Sequence, residues 1–374
     1  MSEHLAAAAQ ADSRQHWSDL VESAVGAELQ TELVDPFSGT EWDRAVLSHS
    51  ESNVFHLAAW ARVLKSSYGH TPVYLRFSYG DHLAALLPIM EVNSPITGIR
   101  GVSLPFSDFC APLVFDDRIG VFPLLEAVNR IGLKRNWRYF EIRSNALADS
   151  FSPPSEEYYG HELDLTRGAG RLLAAASPSV RRAIRKAEKS GLDVEISESW
   201  ESMRDFYRLH LRTRRRHGLP PQSLSFFHNI YREIIKTGYG FIVLAKAALR
   251  PVAAAVFFHS GREALYKFGA SDPRAQSLRP NNLIMWKAIE HLAASGFYKL
   301  RFGRTDLTDE GLRRFKRSWG SVEHQIRYFR YKGATRPSGS QVPRRGHGLY
   351  TRVFRRLPLI VNRTVGKLVY PHLD

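Results

Sequence analysis

A lysine stands where a lysine is least expected. Leu312, Phe315 and Trp319 form an apolar stripe at helical spacing. At about 100° per residue from Leu312, Lys316 falls at roughly 40°, inside that stripe. Arg313, Arg314 and Arg317 fall outside it. An ammonium aimed inward needs an anionic partner or a ligand. Otherwise its stem lies along the apolar face and its head reaches water. Just upstream, Arg304 and Asp306 follow the expected strand 298–302, where a site could open at the strand ends or a simple ion pair could cap the loop. Tyr266 and Lys267 sit in the preceding strand and must face opposite sides of the sheet. Tyr266 is then a hydrogen-bonding wall of the site, or merely core. Lys316, Asp306 and Tyr266 are the catalytic candidates, with Arg304, Trp319 and Arg214 as candidates for binding substrate.

Between those strands lies Ser277-Leu278-Arg279-Pro280-Asn281-Asn282. A helix that starts there exposes unpaired N–H groups and a partial positive charge, which suits a phosphate or pyrophosphate. Arg279, Asn281 and Asn282 are therefore candidates for holding a cofactor, although an asparagine there could serve only as a helix cap. Two basic stretches, Arg181 to Lys189 and Arg208 to His217, could grip a polyanion or simply be solvated faces. The histidines include no His-x-x-x-His pair, and the single cysteine, Cys110, rules out a cysteine-built zinc site, so no metal is expected. Nucleophile-elbow, Walker A and dinucleotide fingerprints are absent from the sequence.

The elements that must position these residues fall into two units. Residues 1–30 read as a loose lead-in. From 31 to 150 the pattern gives a strand at Leu33-Val34, helices near Trp42 to Leu47 and after Asn53, a hairpin over 73–77 and 83–92, a helix near 121–134 and a strand at 139–142. Residues 144–160, rich in Ser and Pro, read as a linker. In the second unit, 160–332, Ser177 with Pro178 starts one helix and Ser199 another. A three-strand meander follows, then helix, strand, helix and strand. Residues 333–374 form a basic linker and a C-terminal amphipathic segment. Tyr350, Val353, Phe354, Leu357, Ile360 and Val361 recur there at helical spacing among arginines. Such a segment either lies on an anionic membrane or packs on the protein's own core.

The 374 residues suffice for two domains, and the net charge of +15 favours an anionic partner: nucleic acid, a phosphorylated carrier or an acidic membrane face. No run of 18 apolar residues and no secretory signal is visible, so a cytoplasmic location is expected, with peripheral contact at the inner membrane as an option.

The segments SPSVRRAIRKAEKSGLDVEI, FYRLHLRTRRRHGLP, RPVAAAVFFHSGREALYKFGASDP, LRPNNLIMWKAIEHLAASGFYKLRFGR and GLRRFKRSWG resemble the Fem-like branch of the GNAT superfamily. FHLAAWARVLKSSYGHTPVYL, LLPIMEV and VSLPF resemble the N-terminal unit of Fem-like proteins found with bacterial exopolysaccharide and exosortase systems. The resemblance implies an α/β (α+β) fold of tandem GNAT-like domains, each with a mixed, mostly antiparallel sheet flanked by helices. It implies transfer of an acyl or aminoacyl group to an amine, from acyl-CoA or from aminoacyl-tRNA, onto a lipid- or nucleotide-linked precursor. The FK-x-x-WG pattern places Lys316 where family members contact substrate. LRPNN replaces the glycine-bearing loop by which ordinary GNAT enzymes hold coenzyme A. An obvious coiled-coil insertion, as in tRNA-dependent Fem enzymes, is also missing. Asp306, His259 and a bound water are the candidates for general base. A non-catalytic scaffold that binds an anionic precursor or a membrane is the alternative from another class.

Overall fold

The computed structural model describes residues 28–145, 153–332, 336–337 and 349–374. The expected lead-in up to residue 27, residues 146–152 of the expected linker at 144–160 and most of the basic linker that opens the 333–374 segment lie outside them. In the first half the chain runs β1 (Leu29–Val34), α1 (Glu41–Ser48), α2 (Ala58–Tyr68), β2 (Thr71–Tyr79), β3 (His82–Ser94), β4 (Gly98–Val102), β5 (Leu113–Val114), α3 (Val121–Lys134) and β6 (Phe140–Arg143). Asn53 caps a short turn of 3₁₀ helix rather than α2 itself, accepting from the Phe55 N–H at 2.9 Å. β2 and β3 pair antiparallel through Gly80, whose φ of 58° suits the tight reversal.

The second half runs β7 (Glu156–Asp164), α4 (Ala169–Ala175), α5 (Pro178–Lys189), β8 (Asp193–Ser197), α6 (Trp200–Arg216), α7 (Leu224–Ile230), β9 (Gly240–Ala247), β10 (Arg250–Ser260) and β11 (Glu263–Ser271). It continues with α8 (Pro280–Ala294), β12 (Lys299–Arg301), β13 (Thr305–Asp306), α9 (Glu310–Arg317), β14 (Val322–Lys332), β15 (Arg336–Pro337), α10 (Leu349–Arg356) and α11 (Leu359–Val369). β7 already begins at Glu156, inside the stretch expected to be linker. Glu157, Tyr159 and the rest of β7 pair along β14, so ladder bonds order a segment whose composition suggested none.

Both halves share one mixed sheet of order β1-β2-β3-β4-β6-β14-β7-β12-β11-β10-β9-β8. β14 joins them: Tyr328 to Tyr331 pair with β6, while Val322 to Tyr328 pair with β7. Helices α5 and α8 bury Val180, Ile184, Leu283 and Ile289 against one face of the C-terminal strands. On the other face, one core joins α1 and α2 to α6, α7, β10 and β11. Trp60 of α2 is fully buried there, 6.2 Å from the Phe226 ring and 6.0 Å from the Phe258 ring. Its indole N–H donates to the Pro105 carbonyl at 3.2 Å.

Candidate active site

β11 and β12 are parallel neighbours only from Glu263–Lys299 to Leu265–Arg301. Beyond Arg301 the ladder ends, and the chain turns through Gly303 and Arg304 while still close to the Tyr266 backbone of β11. Gly303 adopts φ 67°, the left-handed backbone that glycine reaches without strain. On β11 the end of the ladder is followed by a bulge. Val256 faces Phe268 and Phe257 faces Tyr266, which leaves Lys267 as the extra residue.

Three cations converge around Asp108 and the turn at Gly303 and Arg304. The Lys267 Nζ donates to Asp108 Oδ2 and to the Phe106 carbonyl, both at 2.8 Å. Arg304 donates through Nη1 to the Tyr328 hydroxyl at 2.9 Å, and its guanidinium lies 4.5 Å over the Tyr158 ring. The Lys316 Nζ donates to the Gly303 and Arg304 carbonyls at 2.9 and 3.1 Å. Lys316 is 2% exposed, so its head does not snorkel to water. Burial pulls its pKa down to about 8, against the field of Asp108. Burial likewise holds Lys267 below the ordinary lysine range, with Asp108 opposing. Burial pushes the Asp108 carboxyl up, but Lys267 and Arg304 outweigh it and hold it below its usual value.

α9 is fixed so that Lys316 must point inward. Asp309 caps it, accepting from the Leu312 N–H at 2.9 Å. Arg313 forks onto both Glu323 oxygens at 2.8 Å, and Glu323 meets His161 Nε2 at 3.0 Å. This fork ties the outer face of α9 to β14 and β7.

Tyr266 lies on the opposite strand face from Lys267, its ring tilted against Phe257 with centroids 5.5 Å apart, and burial lifts its phenol to about 12. Trp319 is buried in the core 6.1 Å from Phe315. Asp306 is exposed and folds back on its own turn, accepting from Thr308 N–H at 2.9 Å and Oγ1 at 2.6 Å. Arg214 sits with the C-terminal segment, donating to the Tyr370 hydroxyl at 2.8 Å. The helix start at 279–282 is capped by neither asparagine. Arg279 is the N-cap, at φ 60°, with no side-chain cap bond, and Asn281 instead donates to Ser271 Oγ at 3.3 Å.

Sequence reasoning missed Asp108, the carboxylate that the inward lysine called for. It comes from the first half, two residues beyond VSLPF. A lysine beside Tyr266, alternating away from it, was the available signal. Next to Asp108 and Gly303 a cavity of about 60 Å³ opens, lined also by Asn53, Glu162, His259 and Arg301. Burial holds the His259 pKa below the ordinary value, with His291 adding to the effect.

Residues 175–317 match the family model described as the acetyltransferase (GNAT) domain. The fold is that of the Fem-like GNAT acyltransferases. No curated protein sequence matches the chain. Among solved structures, FemX is similar at 16% identity and a TM-score of 0.66, over 81% of this chain and 97% of that one. The tandem GNAT protein of the clavulanic acid biosynthesis pathway is similar at 11% identity and a TM-score of 0.53, over 83% and 100%. The C-terminal domain of a putative lysylphosphatidylglycerol synthetase from Agrobacterium fabrum is similar at 14% and 0.51, over 76% and 88%. At these identities the likeness is one of fold. The GNAT match covers α5 to α9, and so includes the end of the β11–β12 ladder and the whole Lys316 helix.

Proposed function

We propose that this protein is an N-acyltransferase that moves an acyl group from a thioester or ester donor to an amine of a cell-envelope or exopolysaccharide precursor. The observation that carries the reading is the cluster of Lys267, Arg304 and Lys316 around Asp108, where the β11–β12 ladder ends beside the cavity. The cations there favour charge developing on a carbonyl oxygen. The uncapped start of α8 faces the same end of the strands and suits the phosphate of an acyl-CoA-type donor. The amine would attack the donor carbonyl, forming the C–N bond as the C–S or C–O bond breaks. Its proton would leave to His259, kept neutral at pH 7, or to a water. Lys316, whose protons go to the 303–304 carbonyls, holds the turn on which Arg304 is mounted; contact with a substrate phosphate or oxyanion would require one of those bonds to be exchanged.

The test compares purified wild type with Lys316→Met, using acyl-CoAs and aminoacyl-tRNA as donors and amine-bearing envelope precursors as acceptors. The expected result is transfer by the wild type and a loss of at least about tenfold in the variant. A variant that folds normally and keeps full activity overturns the role given to Lys316.

The tRNA-borne version of the donor has one observation of its own. Arg182, Arg185, Lys186 and Lys189 form an open basic concavity along α5. tRNA binding there would weaken steeply with salt, and no binding at low salt removes this version.

A further inference from the structure

The C-terminal helices α10 and α11 are attached to the molecule by one side only. The inner seam of α11 is Asn362 and Gly366, continued by Tyr370 just past its end, all buried. Gly366 lies so close to the Pro221 carbonyl oxygen that no Cβ fits between them. Asn362 Nδ2 donates to the Phe354 carbonyl at 3.0 Å, which ties α11 to α10. Arg100 donates to the His372 carbonyl at 3.0 Å and to Asp374 Oδ2 at 2.8 Å. The Tyr370 hydroxyl adds to the attachment, accepting from Arg214 at 2.8 Å and donating to the Pro220 carbonyl at 3.2 Å.

The opposite face is apolar and bare. On a 100° wheel the seam residues cluster together, and Ile360, Val361, Thr364 and Leu368 lie across from them. Ile360 is 75% exposed, Leu368 65% and Val361 41%, with Val353 of α10 at 47%. Cations rim this strip: Arg352, Arg355 and Arg356 on α10 and Lys367 on α11, all exposed, while the equally exposed Arg363 reaches the Tyr207 side chain of α6. Arg215 of α6 donates to the Arg355 carbonyl at 3.3 Å, bringing the basic end of that helix alongside. From His324 to Leu373 the sequence has no Asp or Glu.

An apolar strip inside a purely cationic rim selects its partner. A second copy meeting it about a two-fold axis would set arginines against arginines. An anionic bilayer suits both parts, because apolar side chains enter the headgroup–acyl boundary while the cations meet phosphates. At 11 residues α11 is too short to span, and no described helix is long and apolar enough to cross a membrane. We propose that the outer face of α10 and α11 seats the protein on an anionic lipid surface, with α11 in the plane of the headgroups. These observations are independent of the acyl-transfer reading, so neither stands or falls with the other.

The experiment is flotation of the full chain with vesicles of phosphatidylglycerol mixed with phosphatidylcholine, and with phosphatidylcholine alone. The wild type binds the anionic vesicles, weakens with salt and ignores the neutral ones. The double variant Ile360→Asp/Leu368→Asp binds at least about tenfold more weakly at an unchanged melting temperature, since two large apolar side chains no longer leave water. Arg355→Glu/Arg356→Glu loses affinity in the same way. Three results overturn the proposal: no binding of the wild type to anionic vesicles, equal binding by the aspartate variant, or a wild-type dimer that the aspartate variant converts to monomer without either binding lipid.

Discussion

Lys316 shows how a buried charge is tolerated and how that can be measured. Its ammonium has two carbonyl acceptors, with Asp108 acting through space. The unfolded chain binds its proton up to the ordinary lysine value of about 10.4, whereas the folded chain releases it near pH 8. Between those values the unfolded state holds more protons, so stability from this site rises with pH. Below pH 8 the burial is a standing penalty of about 3 kcal/mol. Lys316→Met removes the titration, so its stability relative to wild type is most favourable at pH 7 and falls as pH climbs from about 8 towards 10. Urea unfolding of both proteins at pH 7 and pH 9.5 checks this, and a difference that does not change with pH refutes it. The inward aim of Lys316 was legible because helical periodicity depends only on neighbours in sequence. Asp108 was not legible, because it lies more than 150 residues from Lys267 in the chain and no local pattern links them.

At the scale of elements, the legible features were those set by local chemistry. Ser177 and Ser199 cap their helices as their positions suggested, accepting from Val180 and Ser202. The meander of β9, β10 and β11 follows its turns. The identity of the cap at α8 was hidden, because Arg279 takes a left-handed conformation that arginine rarely adopts. The two readings of the C-terminal segment also needed tertiary information, since apolar spacing does not say which face a helix buries. The structure buries the small and polar seam and leaves Ile360 and Leu368 outside. Gly366→Val tests that seam by forcing a side chain into the Pro221 backbone. The expected outcome is faster tryptic cleavage at Arg363 and Lys367, with the melting of the main core almost unchanged. Cleavage as slow as in the wild type would show that α11 is not held through Gly366.

At the scale of the molecule, the division into two units seen in the sequence sits on a framework that joins them. The sheet is continuous through β14, and the Asp108–Lys267 pair joins a loop of the first half to a strand of the second. The core around Trp60 draws residues from both halves. The proposed site therefore exists only when the halves are assembled, because its carboxylate comes from the first half and all three of its cations from the second. Such a framework should unfold as one unit. Trp60→Ala removes a fully buried indole facing Phe226 and Phe258, a loss of about 3–5 kcal/mol. Calorimetry of the variant should show a single transition, shifted down as a whole, because both halves lose the same packing. A variant in which one transition moves while a second stays at the wild-type temperature would mean that the halves fold independently, and that the shared core does not couple the first half to the chemistry of the second.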